Sequence, residues 1–153
     1  MTRAYIALGA NLGDREQTIR AALAELAATP GVEVIAVSTL SETEPVGYLD
    51  QPRFLNGAAA VETSLPARGL LDLLLAVERR FGRAREGVPP QGPRTLDLDL
   101  LLYGSARVDE PGLRIPHPRL HERRFVLEPL AELDPSLEVP GKAHIQTLLA
   151  ELH

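Results

Sequence analysis

The sequence predicts an α+β protein: a ferredoxin-like βαββαβ sheet with helices on one side, extended by an added hairpin and C-terminal helices. Three observations carry this. Short β-rich apolar segments alternate with two longer segments of helical period. Glycine or proline marks most of the junctions between them. The segments run strand-helix-strand-strand-helix-strand, and helical patterning resumes only after a further turn.

Each element has a local reason. The apolar run Tyr5-Ile6-Ala7-Leu8, stopped by Gly9 and Gly13, reads as a buried strand. Asp14 can cap a helix over 15–28, with Ile19, Leu23 and Leu26 on one face and Pro30-Gly31 as its stop. Residues 32–37 are β-branched enough for a second strand, and 54–62 give a third that alanines weaken. Between them 43–52 holds Pro45, Gly47 and Pro52 and reads as a loop. Pro66 opens a strong helix over 67–81, which Gly82 closes. The stretch 87–93 is too rich in Gly and Pro for regular structure. A fourth strand follows over 95–103, and Gly104-Ser105 is expected to turn it into a hairpin with 106–109.

Composition narrows the class. At 153 residues the chain is one domain's worth, 1–153, and 44% hydrophobic with 24% charged residues is ordinary globular composition. The longest apolar candidate, 70–77, is broken by Asp72 and falls far short of the ~20 residues that span a bilayer. The apolar run at 4–8 is too short for a signal-peptide core, so a cytoplasmic protein without membrane contact is expected. Zero cysteines exclude disulfides, thiolate zinc sites and cysteine nucleophiles.

A net charge of −5 argues against a nucleic-acid binder, yet two basic islands stand out. Arg79, Arg80, Arg83, Arg85 and Arg94 face only Glu86, and Arg114, Arg119, Arg123 and Arg124 face only Glu122. Such islands suit a compact polyanion, because arginine offers planar paired donors to phosphate. Ordinary solvated helix faces are the alternative, and for Arg79 and Arg80 they are the preferred one.

The sharpest local signal is Asp97-Leu98-Asp99. Residues two apart on a strand share a face, so both carboxylates point one way while Leu96, Leu98 and Leu100 fill the other. Paired carboxylates repel unless a cation lies between them, and Mg²⁺ takes one or two such ligands together with substrate phosphates. Taken alone, the motif is better read as two solvated acids. Arg94 and the Gly/Pro-rich segment before it shift the balance toward phosphoryl-transfer chemistry. The irregular segments 43–53 and 82–94 are long enough for a lid, or are tolerated surface insertions. Ile115-Pro116-His117-Pro118 holds a histidine between two prolines, either as a phosphate donor or as a structural residue. His117 and His121 lack a third ligand, so no zinc site is expected. Gly9 to Gly13 has neither the Lys-Ser/Thr of a P-loop nor a third glycine, and reads as a tight strand-to-helix turn. Asn56, polar in an apolar strand, is either a satisfied buried amide or a reader of a heterocycle's edge.

Several of these motifs together resemble the 6-hydroxymethyl-7,8-dihydropterin pyrophosphokinase family of folate biosynthesis. They are Gly92-Pro93-Arg94-Thr95-Leu96-Asp97-Leu98-Asp99, Gly82-Arg83-x-Arg85, Ile115-Pro116-His117-Pro118, the 5–14 segment, Phe54-Leu55-Asn56 and Arg123-x-Phe125. The resemblance runs to about Pro129 and implies the same ferredoxin-like fold. It implies that Asp97 and Asp99 hold two Mg²⁺ ions, and that Arg94, His117 and Arg123 bind the triphosphate of ATP. Glu78 would lie near the nucleotide, and Arg83 and Arg85 would act from the family's mobile loop on the phosphates. Phe54 and Phe125 would sandwich the pterin ring, with Asn56 and the backbone around Thr43–Val46 reading its edge. The implied reaction moves the terminal diphosphate of ATP to the pterin alcohol and releases AMP. Its partners would be these two small molecules, bound by a monomer. The chain departs from the family pattern at Glu86, Gln91 and Pro118. Two rival classes, a non-catalytic ligand-binding module and a nucleic-acid enzyme built on the Asp pair, leave respectively the arginines without a task and the acidic balance unexplained.

Overall fold

The structure is a computed structural model and describes residues 1–44, 50–82 and 96–152. Five strands, β1 (Thr2–Ala10), β2 (Val32–Val37), β3 (Ser41–Thr43), β4 (Phe54–Thr63) and β5 (Asp97–Tyr103), form one antiparallel sheet. Its order is β2-β4-β1-β5, with β3 also paired to β4. Helices α1 (Arg15–Ala27) and α2 (Ala67–Arg80) make the two crossovers, as the ferredoxin-like pattern requires. A hairpin of β6 (Val108–Glu110) and β7 (Leu113–Ile115) follows, then a short 3₁₀ turn at Leu120–Glu122. Helices α3 (Arg124–Leu133) and α4 (Ile145–Ala150) complete the chain.

The expected helices start where their caps say. The Asp14 carboxylate accepts the Gln17 backbone N–H at 3.2 Å, satisfying one orphan donor of α1. Leu70, Leu74 and Val77 of α2 recur at helical spacing and are fully buried, and Gly82 takes φ +79° just past the helix end. Both helices pack on one sheet face, against Ile6, Leu8, Val61, Leu98 and Leu100.

The other face is covered by α3 and α4, whose Leu127, Leu130, Ile145 and Leu148 meet Tyr5, Ala58 and Ala60. The alanines that weaken β4 by propensity are thus the floor for α3, where small side chains allow a close approach. A bulge in the β1–β5 pairing falls between Tyr5 and Ile6 and leaves Leu101 as the extra residue. Leu101 and Leu102 can then both serve the α3 side, which alternation alone forbids.

Three details differ from the sequence expectation. β1 does not stop at Leu8 but runs through Gly9 to Ala10, paired on both edges as far as Gly9. Ser41–Thr43 adds a short strand before the loop. The hairpin is β6 with β7, turned at Pro111-Gly112 with Gly112 at φ +76°, and does not pair with β5. The free edge of β5 is already engaged. Glu78 accepts the Leu98 N–H at 2.7 Å, and the His117 N–H donates to the Leu101 carbonyl at 3.0 Å.

Candidate active site

Among the described residues, α3 and α4 pack on the sheet around Tyr5, Ala58 and Ala60, and the rows beyond carry the polar residues. The strand register builds these rows. Asn56 of β4, Gly9 of β1 and Asp97 of β5 are successive partners across three strands. The next row is Ala58, Ala7 and Asp99. Two small residues therefore separate an amide on one side from two carboxylates on the other. Leu98 and Leu100 are buried on the opposite face, as the alternation of β5 requires.

Above these rows lies a cavity of about 270 Å³. Its walls include Thr43, Phe54, Asn56, Asp97, Asp99, His117, Arg123 and Phe125. Phe54 opens β4, and Phe125 is the second residue of α3. Arg123, the residue before α3, stacks with its guanidinium 5.8 Å from the Phe125 ring centre, a cation–π contact that keeps one wall charged. The Asn56 amide donates to the Thr43 hydroxyl, tying β4 to β3.

The prolines fix His117 as expected, and its backbone N–H pins it to β5. The Arg119 backbone N–H donates to its Nδ1 at 3.3 Å, so the proton of the neutral ring sits on Nε2. Burial, reinforced by the charges of Arg123 and Arg119 against an opposing pull from Asp97, lowers its pKa below the ordinary imidazole value. At neutral pH His117 is then an uncharged single donor.

The ends of the segment between β3 and β4 are anchored. The buried Asn11 amide donates to the Gln51 side chain at 2.8 Å and to the Pro52 carbonyl at 3.0 Å. Arg15 pairs with Glu42, and Arg53 with Glu44 at 2.9 Å. These contacts set where Thr43 and Phe54 emerge.

Glu78 is not in the cavity wall. It is 2% exposed, behind β5, with its carboxylate on the Leu98 N–H. Its contact with Leu98 positions the strand, and the place near the nucleotide that the resemblance implies for Glu78 belongs to the proposed reading. The spacing on α2 that places Leu70, Leu74 and Val77 inward also turns its neighbour in. Arg83, Arg85 and Arg94 lie outside the described residues. Of the second basic island, Arg123 reaches the cavity, while Arg124 pairs with Glu128 and Arg114 with Asp109. Arg80 pairs with Glu25 across α1 and α2, the solvated-face role expected of it.

Sequence reasoning missed Gly9, Ala7 and Gly57 in the cavity wall. The signal was a glycine inside a strand pattern, which often marks a close approach to backbone.

Asp97 and Asp99 share a strand face and both line the cavity. No third His, Cys, Asp or Glu joins them in a metal-sized cluster among the described residues. This donor set fits a hard cation that draws its remaining ligands from phosphates and water, and does not fit a closed protein cage.

A ferredoxin-like sheet with a carboxylate pair, an arginine, a histidine and two aromatic rings around one cavity fits the class of small-molecule group-transfer enzymes. The family described as 7,8-dihydro-6-hydroxymethylpterin-pyrophosphokinase matches residues 5–135. A Pseudomonas aeruginosa 2-amino-4-hydroxy-6-hydroxymethyldihydropteridine pyrophosphokinase is 47% identical over 148 residues, 97% of this chain and 90% of that protein. Its Bacillus subtilis namesake is 49% identical over 135 residues, 88% of this chain and 80% of that protein. The chain belongs to this pyrophosphokinase family. The crystal structure of wild-type Plasmodium falciparum HPPK-DHPS with SDX-DHP superposes with TM-score 0.69 at 14% identity, covering 99% of this chain, which spans 43% of that one. That likeness concerns the fold.

Proposed function

We propose that the chain, acting over 1–153 as one pyrophosphokinase domain, transfers the terminal diphosphate of ATP to the hydroxymethyl group of 6-hydroxymethyl-7,8-dihydropterin and releases AMP. The observation that carries this reading is convergence. Thr43, Phe54, Asn56, Asp97, Asp99, His117, Arg123 and Phe125 come from five separate stretches of chain and meet around one cavity.

In this reading Phe54 and Phe125 stack on the ring, and Asn56 reads its edge from a position fixed by Thr43. His117, neutral with its proton on Nε2, donates to phosphate oxygen, and Arg123 supplies charge beside it. Asp97 and Asp99 would hold Mg²⁺, with two ions expected, which neutralises phosphate charge when bound. Arg94 binds the triphosphate, and Arg83 and Arg85 act on the transferring group. These last three assignments rest on the motifs Gly-Pro-Arg-Thr-Leu-Asp-Leu-Asp and Gly-Arg-x-Arg. The protein's work is then orientation and charge stabilisation without a covalent intermediate. A cytoplasmic monomer belongs to the same reading, and light scattering on the purified protein tests its oligomeric part.

The deciding assay combines protein, ATP, Mg²⁺ and the reduced pterin alcohol and separates the nucleotides. AMP as the sole nucleotide product is expected. Accumulating ADP would mean an ordinary kinase, and binding without turnover would mean a ligand-binding module.

A further inference from the structure

Gly9, inside β1, and Gly13, in the turn before α1, do different things. Gly13 takes φ +66°, with no heavy atom within 4 Å of where a Cβ would stand, so it makes the turn. Gly9 lies inside β1 and is not among the glycines with positive φ. Its conformation is open to any residue. What it lacks is room.

A Cβ on Gly9 would stand 2.9 Å from Asn56 Oδ1, well inside contact distance. The next neighbours, Asp97 Cβ and the Leu55 carbonyl, are at an ordinary 3.9 Å. The conflict is therefore confined to one atom, the end of a rotatable carboxamide. That carboxamide is not free to swing without loss, because its nitrogen donates to Thr43. Adding a methyl forces Asn56 to turn away and give up this bond, while the backbone on either side and the Asp97 side chain stay in place.

We infer that Gly9 is a specificity-determining position of the heterocycle site. Its missing side chain lets the Asn56 amide lie over the β1 backbone in the orientation that presents its hydrogen-bonding groups to the ring edge. It also keeps a side chain off the strip between that amide and Asp97. The inference rests on the proposed reading of Asn56 as the pterin reader, and it adds that β1 sets the amide's orientation.

The test is Gly9→Ala, alone and combined with Asn56→Ala. Three quantities are measured: the thermal midpoint, the dissociation constant for Mg²⁺-ATP, and that for 6-hydroxymethyl-7,8-dihydropterin in the presence of Mg²⁺ and a non-hydrolysable ATP analogue. Gly9→Ala is expected to fold, to hold Mg²⁺-ATP within twofold, and to bind the pterin at least tenfold more weakly. On the Asn56→Ala background the same methyl should change pterin affinity by less than twofold, because its only collision partner is gone. Unchanged pterin binding in Gly9→Ala overturns the inference. So does an equal loss on the Asn56→Ala background, which would mean simple filling of the cavity. A Gly9→Ala chain that fails to fold also overturns it, since only a side-chain tip stands in the methyl's way. Failure of the wild type itself to bind the pterin is a separate result, and it removes the proposed function instead.

Discussion

The buried carboxylate of Glu78 accepts a 2.7 Å hydrogen bond from the backbone N–H of Leu98, the residue between the two cavity aspartates. It holds the outer edge of β5 at the point where Asp97 and Asp99 must stay aligned, and among the described residues no neighbouring strand does so there. Replacing Glu78 with Leu leaves that N–H without its acceptor, at a cost of about 1–3 kcal/mol in unfolding free energy. Glu78→Gln keeps a carbonyl oxygen and should lose clearly less. Urea unfolding of both variants checks the order, and equal stability of Glu78→Leu and wild type would remove the positioning role.

His117 gives a pH signature. Its folded pKa is lowered, chiefly by burial. The unfolded chain then binds the proton more tightly, so the stability owed to the neutral ring is full above about pH 6.5 and is lost as pH falls through the lowered folded value. Between pH 7 and 5 the wild type should therefore lose stability more steeply than His117→Gln. Urea midpoints across this range measure it; parallel slopes would mean His117 titrates as an ordinary solvated imidazole.

The aromatic walls should act chiefly on the pterin. Stacking a flat heterocycle on an aromatic ring is worth roughly 1–3 kcal/mol by truncation, or about 5- to 150-fold in affinity. Phe54→Ala and Phe125→Ala are expected to weaken pterin binding by such factors. Mg²⁺-ATP affinity should move less for Phe54→Ala than for Phe125→Ala, because only Phe125 carries the stacked Arg123. Fluorescence titration with each substrate separates the two effects.

Much of this was legible in the sequence. Caps, glycine stops and apolar periodicity placed α1, α2 and the four long strands, because each rests on local chemistry. The Asp-x-Asp spacing already put both carboxylates on one face. What stayed hidden depends on distant partners. Ala58 and Ala60 look like weak strand residues until α3 is laid on them. The β5 edge seemed available for a hairpin until Glu78 and His117 were found on it. Gly9 read as a turn because its need for space is visible only beside Asn56, far away in sequence.

Asp97→Asn and Asp99→Asn should each keep the fold and the pterin affinity while turnover falls on the order of a thousandfold, since an amide preserves shape but loses the charge that would hold Mg²⁺. Circular dichroism, pterin titration and single-turnover rates test this together. Near-wild-type turnover in either variant would make that residue a solvated acid.

The central claim is transfer of a diphosphate, and the fate of ATP's β-phosphorus tests it most directly. ATP labelled at that phosphorus is incubated with Mg²⁺, the protein and the reduced pterin alcohol, with Asp97→Asn as the control. The account predicts that the β label moves onto the pterin, leaves unlabelled AMP behind, and stays in ATP with the variant. Recovery of the β label in ADP, with only the γ-phosphorus on the pterin, would contradict it.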